Sequence, residues 1–205
     1  ADTPNEEFTL NQIALFEKTI SEIESKGIII PIKHIANSAA IIRYPQSHFN
    51  MVRAGLICYG YVPSKYIKNE GFMPAMSFKT LISRIETINK GDIVSYGGTF
   101  KAEKTTKIAS LCVGYADGYL RSLSNKAEVI IGGKKVKIVG NICMDQCMID
   151  LGSTTELKIW DKVTIFGPVE NNEIGNTAQT LANQVKTIPY EITCNVDKRV
   201  PRDYV

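Results

Sequence analysis

Glu128-Val129-Ile130-Ile131-Gly132-Gly133-Lys134-Lys135-Val136-Lys137-Ile138-Val139 reads as two short strands folded back on each other at a Gly-Gly turn. β-branched residues fill both arms, and paired glycines supply the positive φ that a tight hairpin requires. Outward from this hairpin the same grammar recurs. Residues 76–88, 93–100 and 107–113 precede it and 142–151 and 162–166 follow it, each a strand-forming run bounded by turn residues. Short, regular spacing of that kind predicts an antiparallel β-barrel or sandwich. One helix interrupts it, with Asn176 or Thr177 as cap, Leu181 and Val185 on one face, and an end before Pro189.

Upstream the period changes. Thr9 and Gln12 have the spacing of a reciprocal cap, and Ile13, Phe16, Ile20 and Ile23 then recur every three or four residues until Gly27, which predicts an amphipathic helix. Residues 28–35 form a β-branched apolar run of the kind buried on both faces of a parallel sheet. Asn37-Ser38-Ala39-Ala40 opens another short helix, and residues 52–59 read as a second buried strand. Helix, strand, helix, strand is α/β grammar. Between residues 60 and 74 the pattern dissolves into Pro63, Ser64, Lys68, Asn69 and Gly71, a domain boundary. The expected fold class is therefore α/β plus mainly β, with residues 1–65 in the first domain and 66–205 in the second.

Composition limits the function classes. With 205 residues and 44% hydrophobic content the chain can bury sizeable cores. Net charge is only +3 and the cations are scattered among acids, so no nucleic-acid partner is expected. Apolar runs such as residues 27–32 are too short to span a bilayer and no leader opens the sequence, so no membrane partner is expected and the cytoplasm is the default compartment. Five cysteines, at positions 58, 112, 143, 147 and 194, lack a framework spacing and fit reduced thiols. Cys143 and Cys147 are too few for a closed zinc site and have no histidine close by, so no metal is expected. The opening Ala1-Asp2-Thr3-Pro4-Asn5-Glu6-Glu7, without an initiator methionine, suggests a chain cut from a longer protein.

Seven stretches carry a resemblance. They are His34-Ile35-Ala36-Asn37-Ser38-Ala39-Ala40, Asn50-Met51-Val52-Arg53-Ala54-Gly55-Leu56-Ile57-Cys58-Tyr59-Gly60, Val94-Ser95-Tyr96-Gly97, Gly114-Tyr115-Ala116-Asp117-Gly118, Val139-Gly140-Asn141-Ile142-Cys143-Met144-Asp145-Gln146, Ile188-Pro189-Tyr190-Glu191 and Arg199-Val200-Pro201-Arg202. In order and spacing this set resembles the carboxy-terminal part of pyridoxal-phosphate-dependent alanine racemases. The resemblance implies the last part of a TIM-type (α/β)₈ barrel followed by a β-domain that carries a catalytic tyrosine.

Residue by residue, the resemblance adds a role to a simpler local reading. Asn37-Ser38 alone is a helix cap; the family places Ser38, the backbone of Gly55 and Leu56, and the Tyr190 hydroxyl at the phosphate of pyridoxal 5'-phosphate, with Asn37 nearby. Arg53 alone is a charge for a salt bridge at a strand end; the family sets it against the pyridine nitrogen. There an arginine donates a hydrogen bond without giving up its proton and leaves the ring a weaker electron sink. Tyr96 alone belongs to an ordinary turn, and a phenol titrating near about 10 is a poor base at neutral pH. The family makes it the catalytic base, linked through a histidine to the arginine, with that histidine upstream of Ala1 and neither His34 nor His48 in its place. Met144-Asp145 alone is part of a strand; by resemblance the Met144 N–H holds the substrate carboxylate, Asp145 orients neighbouring groups, and Tyr115 lines the same pocket.

The implied reaction interconverts L- and D-alanine by two-base chemistry at Cα, for peptidoglycan precursors. Tyr96 would serve the L-isomer and the cofactor lysine the D-isomer. No Lys-Ala-x-Ala-Tyr segment is present, so that lysine is expected in a missing amino-terminal half, and the fragment alone is expected to be inactive. The family also works as a homodimer with active sites shared across the interface. Three alternatives stay open: a serine racemase-type relative, against which Tyr190 tilts; a non-catalytic pyridoxal-phosphate-binding protein, which would lack the second domain; and a structural β-barrel module.

Overall fold

The computed structural model describes residues 1–69, 71–153, 156–168 and 174–204. The chain forms two compact units, Ala1–Met73 and Pro74–Val205. The first is an open α/β barrel segment and the second an antiparallel β-domain.

The first unit opens with α1, Glu6–Glu24. Its cap is Asn5 rather than the expected Thr9: the Asn5 side chain accepts from the Phe8 N–H at 3.4 Å. Glu6 and Glu7 fill the first turn, where carboxylates oppose the exposed amides. Thr9 lies inside the helix, on the buried face with Ile13 and Ile20. The second helix, α2 (Ser38–Arg43), is capped by Asn37, whose side chain accepts from the Ala40 N–H at 3.0 Å. Ile13 packs with Ala36, Ala40 and Tyr44 into one core. Arg43 ties the first residues down, donating to the carbonyls of Ala1 and Thr3 at 2.8 and 2.6 Å and pairing with Glu6 at 3.0 Å.

Two expected strands do not form. Residues 28–35 are extended without ladder pairing, and Ile29 is 85% exposed. Residues 52–55 are extended as well, followed by a 3₁₀ turn at Leu56–Tyr59. A parallel strand owes its hydrogen bonds entirely to neighbouring strands, and among the described residues of this unit none is paired. What holds the two segments is a side-chain bridge: Asn50 accepts from the Lys33 N–H and donates to the Pro31 carbonyl, both at 2.7 Å, and the Arg53 N–H reaches the Ala36 carbonyl at 2.9 Å.

The second unit is built on β1 (Phe78–Ile88), β2 (Ile93–Val94), β3 (Phe100–Lys101), β4 (Thr106–Leu111), β5 (Glu128–Ile131), β6 (Lys134–Val139), β7 (Cys147–Gly152), β8 (Lys162–Pro168) and β9 (Ile174–Asn176). The order β1-β4-β7-β6-β5-β8-β9, with β8 also paired to β1, closes six of these strands into an antiparallel barrel. Closure depends on the length of β1: its first residues pair with β8 and its last with β4, with register shifts at Phe78/Lys79 and Ile82/Arg84. The hairpin β5–β6 turns at Gly132-Gly133, both at positive φ. Ile82, Leu111, Val129, Ile149, Val163 and Ile165 fill the interior.

Two helices follow. Thr177 caps α3 (Ala178–Val185): its hydroxyl accepts from the Thr180 N–H at 3.0 Å, and the Thr180 hydroxyl in turn accepts from the Thr177 N–H at 2.9 Å. Pro189 opens α4 (Pro189–Cys194), a further helix beyond the expected end of α3. Proline suits this first position because it has no N–H to leave unpaired.

Two of the expected strands are interrupted where the motifs lie. The run 93–100 breaks after β2, where Ser95, Gly97 and Gly98 all have positive φ and Tyr96–Gly98 forms a 3₁₀ turn. The run 142–151 becomes strand only at Cys147; residues 142–146 form a projecting loop instead.

Candidate active site

In the second unit the motif residues converge on an open cleft of about 760 Å³ at the end of the sheet, lined by Tyr96, Tyr115, Asn141, Cys143, Met144 and Asp145 among others. Tyr96 stands on the 3₁₀ turn and is 78% exposed, its hydroxyl without a partner among the described residues. Its backbone is fixed from below. Asn141 donates from its side chain to the Tyr96 carbonyl at 2.8 Å and accepts, through its own carbonyl, from the Ser95 hydroxyl at 2.6 Å. Ser95 pays for this seat with φ 67° and ψ 175°, a sparsely populated conformation that costs a non-glycine residue about 1–3 kcal/mol.

Met144-Asp145 forms the tip of the loop before β7, closed by the Cys143 N–H donating to the Gln146 carbonyl at 2.8 Å. A 3₁₀ turn, Tyr115–Asp117, grips this tip. The N–H groups of Tyr115 and Ala116 donate to the carbonyls of Cys143 and Met144, at 2.9 and 3.0 Å. The approach is so close that a Cβ at Gly114 would lie 2.3 Å from both carbonyl oxygens. With its carbonyl engaged, Met144 keeps an N–H that has no partner among the described residues. Tyr115, 44% exposed, lies on the turn beside it.

Asp145 is ion-paired. Arg199 donates one guanidinium nitrogen to Asp145 at 2.5 Å and its Nε to Asp117 at 2.8 Å, which holds the guanidinium even more firmly charged than usual, Asp145 contributing most. Beneath the loop, burial pushes the Cys147 thiol well above its ordinary range, with the nearby Cys143 and Asp117 adding to it. Burial does the same to the Tyr119 phenol.

In the first unit, Ser38 is buried and its hydroxyl accepts from the Gly55 N–H at 3.0 Å. Ser38 donates to no described residue, so its proton is available to an anion. Leu56 begins the 3₁₀ turn that follows Gly55. Asn37 is the helix cap described above. Arg53 is exposed and meets no carboxylate among the described residues; its guanidinium donates to His34 Nδ1 at 2.8 Å, which places that imidazole's proton on Nε2. A buried hydroxyl with a free proton and an uncompensated arginine fit a phosphorylated, nitrogen-containing ring. Tyr190 lies in the first turn of α4. The structure thus brings together Ser38, Gly55 and Leu56, and separately Tyr96, Tyr115, Met144 and Asp145.

Asn141, Ser95 and Arg199 were quoted within motifs but given no role by the sequence reading. Their partners are 45, 46 and 54 residues away or more, beyond any local pattern.

Comparison with known proteins places these features in a family. Residues 75–204 match the family model for the alanine racemase C-terminal domain, and residues 1–63 match the alanine racemase N-terminal domain. An alanine racemase from Methanococcus maripaludis is 44% identical over 207 residues, taking in 100% of this chain and 55% of the relative. One from Treponema denticola is 45% identical over 206 residues, taking in 100% of this chain and 54% of the relative. The crystal structure of the Bacillus anthracis alanine racemase with bound L-Ala-P superposes with a TM-score of 0.92 at 35% identity, over 100% of this chain and 52% of that one. The chain spans about half the length of the relatives it matches.

Proposed function

The chain belongs to the alanine racemase family, and from that premise we propose that it forms part of a cytoplasmic isomerase that interconverts L- and D-alanine for peptidoglycan precursor synthesis. The observation that carries the reading is the pairing, around one cleft, of an exposed tyrosine with an unengaged backbone N–H. One group would move a proton and the other would hold the carboxylate of the same amino acid.

Pyridoxal 5'-phosphate, when bound, supplies a conjugated ring that accepts electron density from Cα. Ser38 would hold the phosphate through its hydroxyl proton, with the Leu56 N–H beside it; the family pattern adds the backbone of Gly55, whose N–H already rests on Ser38, and the Tyr190 hydroxyl. Arg53 would face the pyridine nitrogen, where an arginine can donate a hydrogen bond without giving up its proton and so would leave the ring a modest electron sink. Tyr96 takes the Cα proton of the L-isomer at its phenol oxygen, or returns one there in the reverse direction. Its geometry favours this role because the turn beneath it is pinned by Asn141, so the hydroxyl is presented without reorganisation. The Met144 N–H binds the substrate carboxylate, Asp145 orients the loop tip, and Tyr115 narrows the cleft.

The lysine serving the D-isomer is assigned to a stretch outside these 205 residues, which hold no Lys-Ala-x-Ala-Tyr segment. Residues 1–65 are assigned to the cofactor-binding barrel and 66–205 to the β-domain. In the homodimer of the family, Tyr96 and Met144 face the partner's cofactor while Ser38, Arg53 and Tyr190 face their own.

Chiral chromatography after incubation with L-alanine and with L-serine tests the proposal. The holoenzyme is expected to racemise alanine in preference to serine, and the 205-residue chain by itself neither. A holoenzyme that converts neither substrate would contradict the assignment.

A further inference from the structure

We infer that Arg199 is a positioning residue, fixing the loop tip whose Met144 N–H holds the substrate. The inference rests on the role proposed above for Met144 and adds the group that keeps it in place. The tip is held by few bonds. Cys143 and Met144 offer their carbonyls to the Tyr115–Asp117 turn, and Met144 itself is 53% exposed. The turn is in turn braced by Asp117, whose second carboxylate oxygen accepts from the Gly114 N–H at 2.8 Å.

Arg199 joins the two by their acids, with Nε on Asp117 and a terminal nitrogen on Asp145. A planar fork can bridge two carboxylates in this way; a lysine ammonium, a single point of charge on a flexible stem, cannot hold both with the same geometry. The cation is itself anchored: the Arg199 N–H donates to the Asp197 side chain at 2.9 Å, and the Asp197 N–H to the Asp117 carbonyl at 3.1 Å. Arg202 completes the fastening by donating to the Val196 carbonyl at 2.9 Å.

Exposed ion pairs contribute little individually. Here the cation lies between two acids, and the Asp117 side chain is only 15% exposed. Without Arg199 the two carboxylates would lose the cation that joins them, and the first thing to loosen would be the tip. The barrel strands would not be affected. Tyr96 stands on a different turn with its own support from Asn141, so substrate binding should suffer more than proton transfer.

The test compares Arg199→Gln, Arg199→Lys and the Arg199→Gln/Asp145→Asn pair in the holoenzyme. Arg199→Gln is expected to raise the KM for alanine by about fivefold while changing kcat by less than about twofold. Arg199→Lys should recover part of that loss, and Asp145→Asn should add nothing to Arg199→Gln, because both break the same link. Amide exchange on the same preparations should speed up at Tyr115 and Ala116, by roughly tenfold, and stay unchanged along β1 and β4. An unchanged KM, a fall in kcat alone, additive effects in the pair, or unchanged exchange at Tyr115 and Ala116 would each overturn the inference. Faster exchange at those two amides in a preparation whose unsubstituted form does not turn over alanine would support the clasp and overturn the substrate role of Met144.

Discussion

Ser38 spends its oxygen on the Gly55 N–H and keeps its proton, the arrangement expected of a group waiting for an anion. Replacing it by alanine removes a charge-assisted bond worth about 2 kcal/mol, so Ser38→Ala should weaken pyridoxal-phosphate binding by roughly tenfold or more, measured by titrating the cofactor into the apoenzyme of the intact protein. Asn141→Ala addresses the other unit. Without the bond to the Tyr96 carbonyl, the turn loses its seat, and kcat should fall by about tenfold with a smaller change in KM, read from initial rates in both directions. That Tyr96, Met144 and Asp145 share one cleft was legible because they lie in contiguous strings that resemble a family. Asn141 lies in one of the same strings, yet its role was not legible, because it exists only through a contact with residues far away in sequence. Arg53 shows the converse: a charge in an apolar stretch suggested a salt bridge, and the structure gives it a histidine instead.

At the level of elements, function depends on where strands stop. Residues 142–151 alternate well enough to read as one strand, yet the ladder begins only at Cys147, and the residues before it project as the tip that carries Met144. Nothing in the local pattern marks that stop. It follows from the Tyr115–Asp117 turn competing for the carbonyls of Cys143 and Met144. Gly114 makes the competition possible by letting the two loops touch. A Gly114→Ala substitution must push them apart and is expected to cost about 2–3 kcal/mol, seen as a lower urea midpoint with an unchanged slope, and to raise the KM for alanine. The hairpin β5–β6 was legible, and the cap of α3 was narrowed to Asn176 or Thr177, for the opposite reason, since Gly132-Gly133 and Thr177 act on immediate neighbours.

At the scale of the molecule, the barrel is self-sufficient in a way that the first unit is not. Six strands close on one another, whereas residues 28–35 carry the apolar, β-branched pattern of a buried strand without forming a ladder. Their composition was legible; their conformation was not, because a parallel strand is made by its neighbours. The barrel's interior also sets its response to alkali. Burial raises Cys147 from an ordinary 9.0 and Tyr119 from an ordinary 10.0. Both stay protonated in the fold after the unfolded chain has begun to lose those protons. Their contribution to stability is therefore complete below about pH 9 and is lost as pH rises toward the folded values, first through Cys147 and then through Tyr119, by up to about 1 kcal/mol per pH unit for each group. Urea midpoints between pH 7 and 11 should fall accordingly, and Cys147→Ala should remove the earlier part of the decline.

The proposed racemisation depends on Tyr96 handling the Cα proton of one enantiomer. Proton NMR of L-alanine in D₂O, with the holoenzyme and its Tyr96→Phe variant, tests this directly. Loss of the Cα proton signal should slow by about a thousandfold in the variant while the cofactor stays bound; exchange of L-alanine at the unsubstituted rate would contradict it.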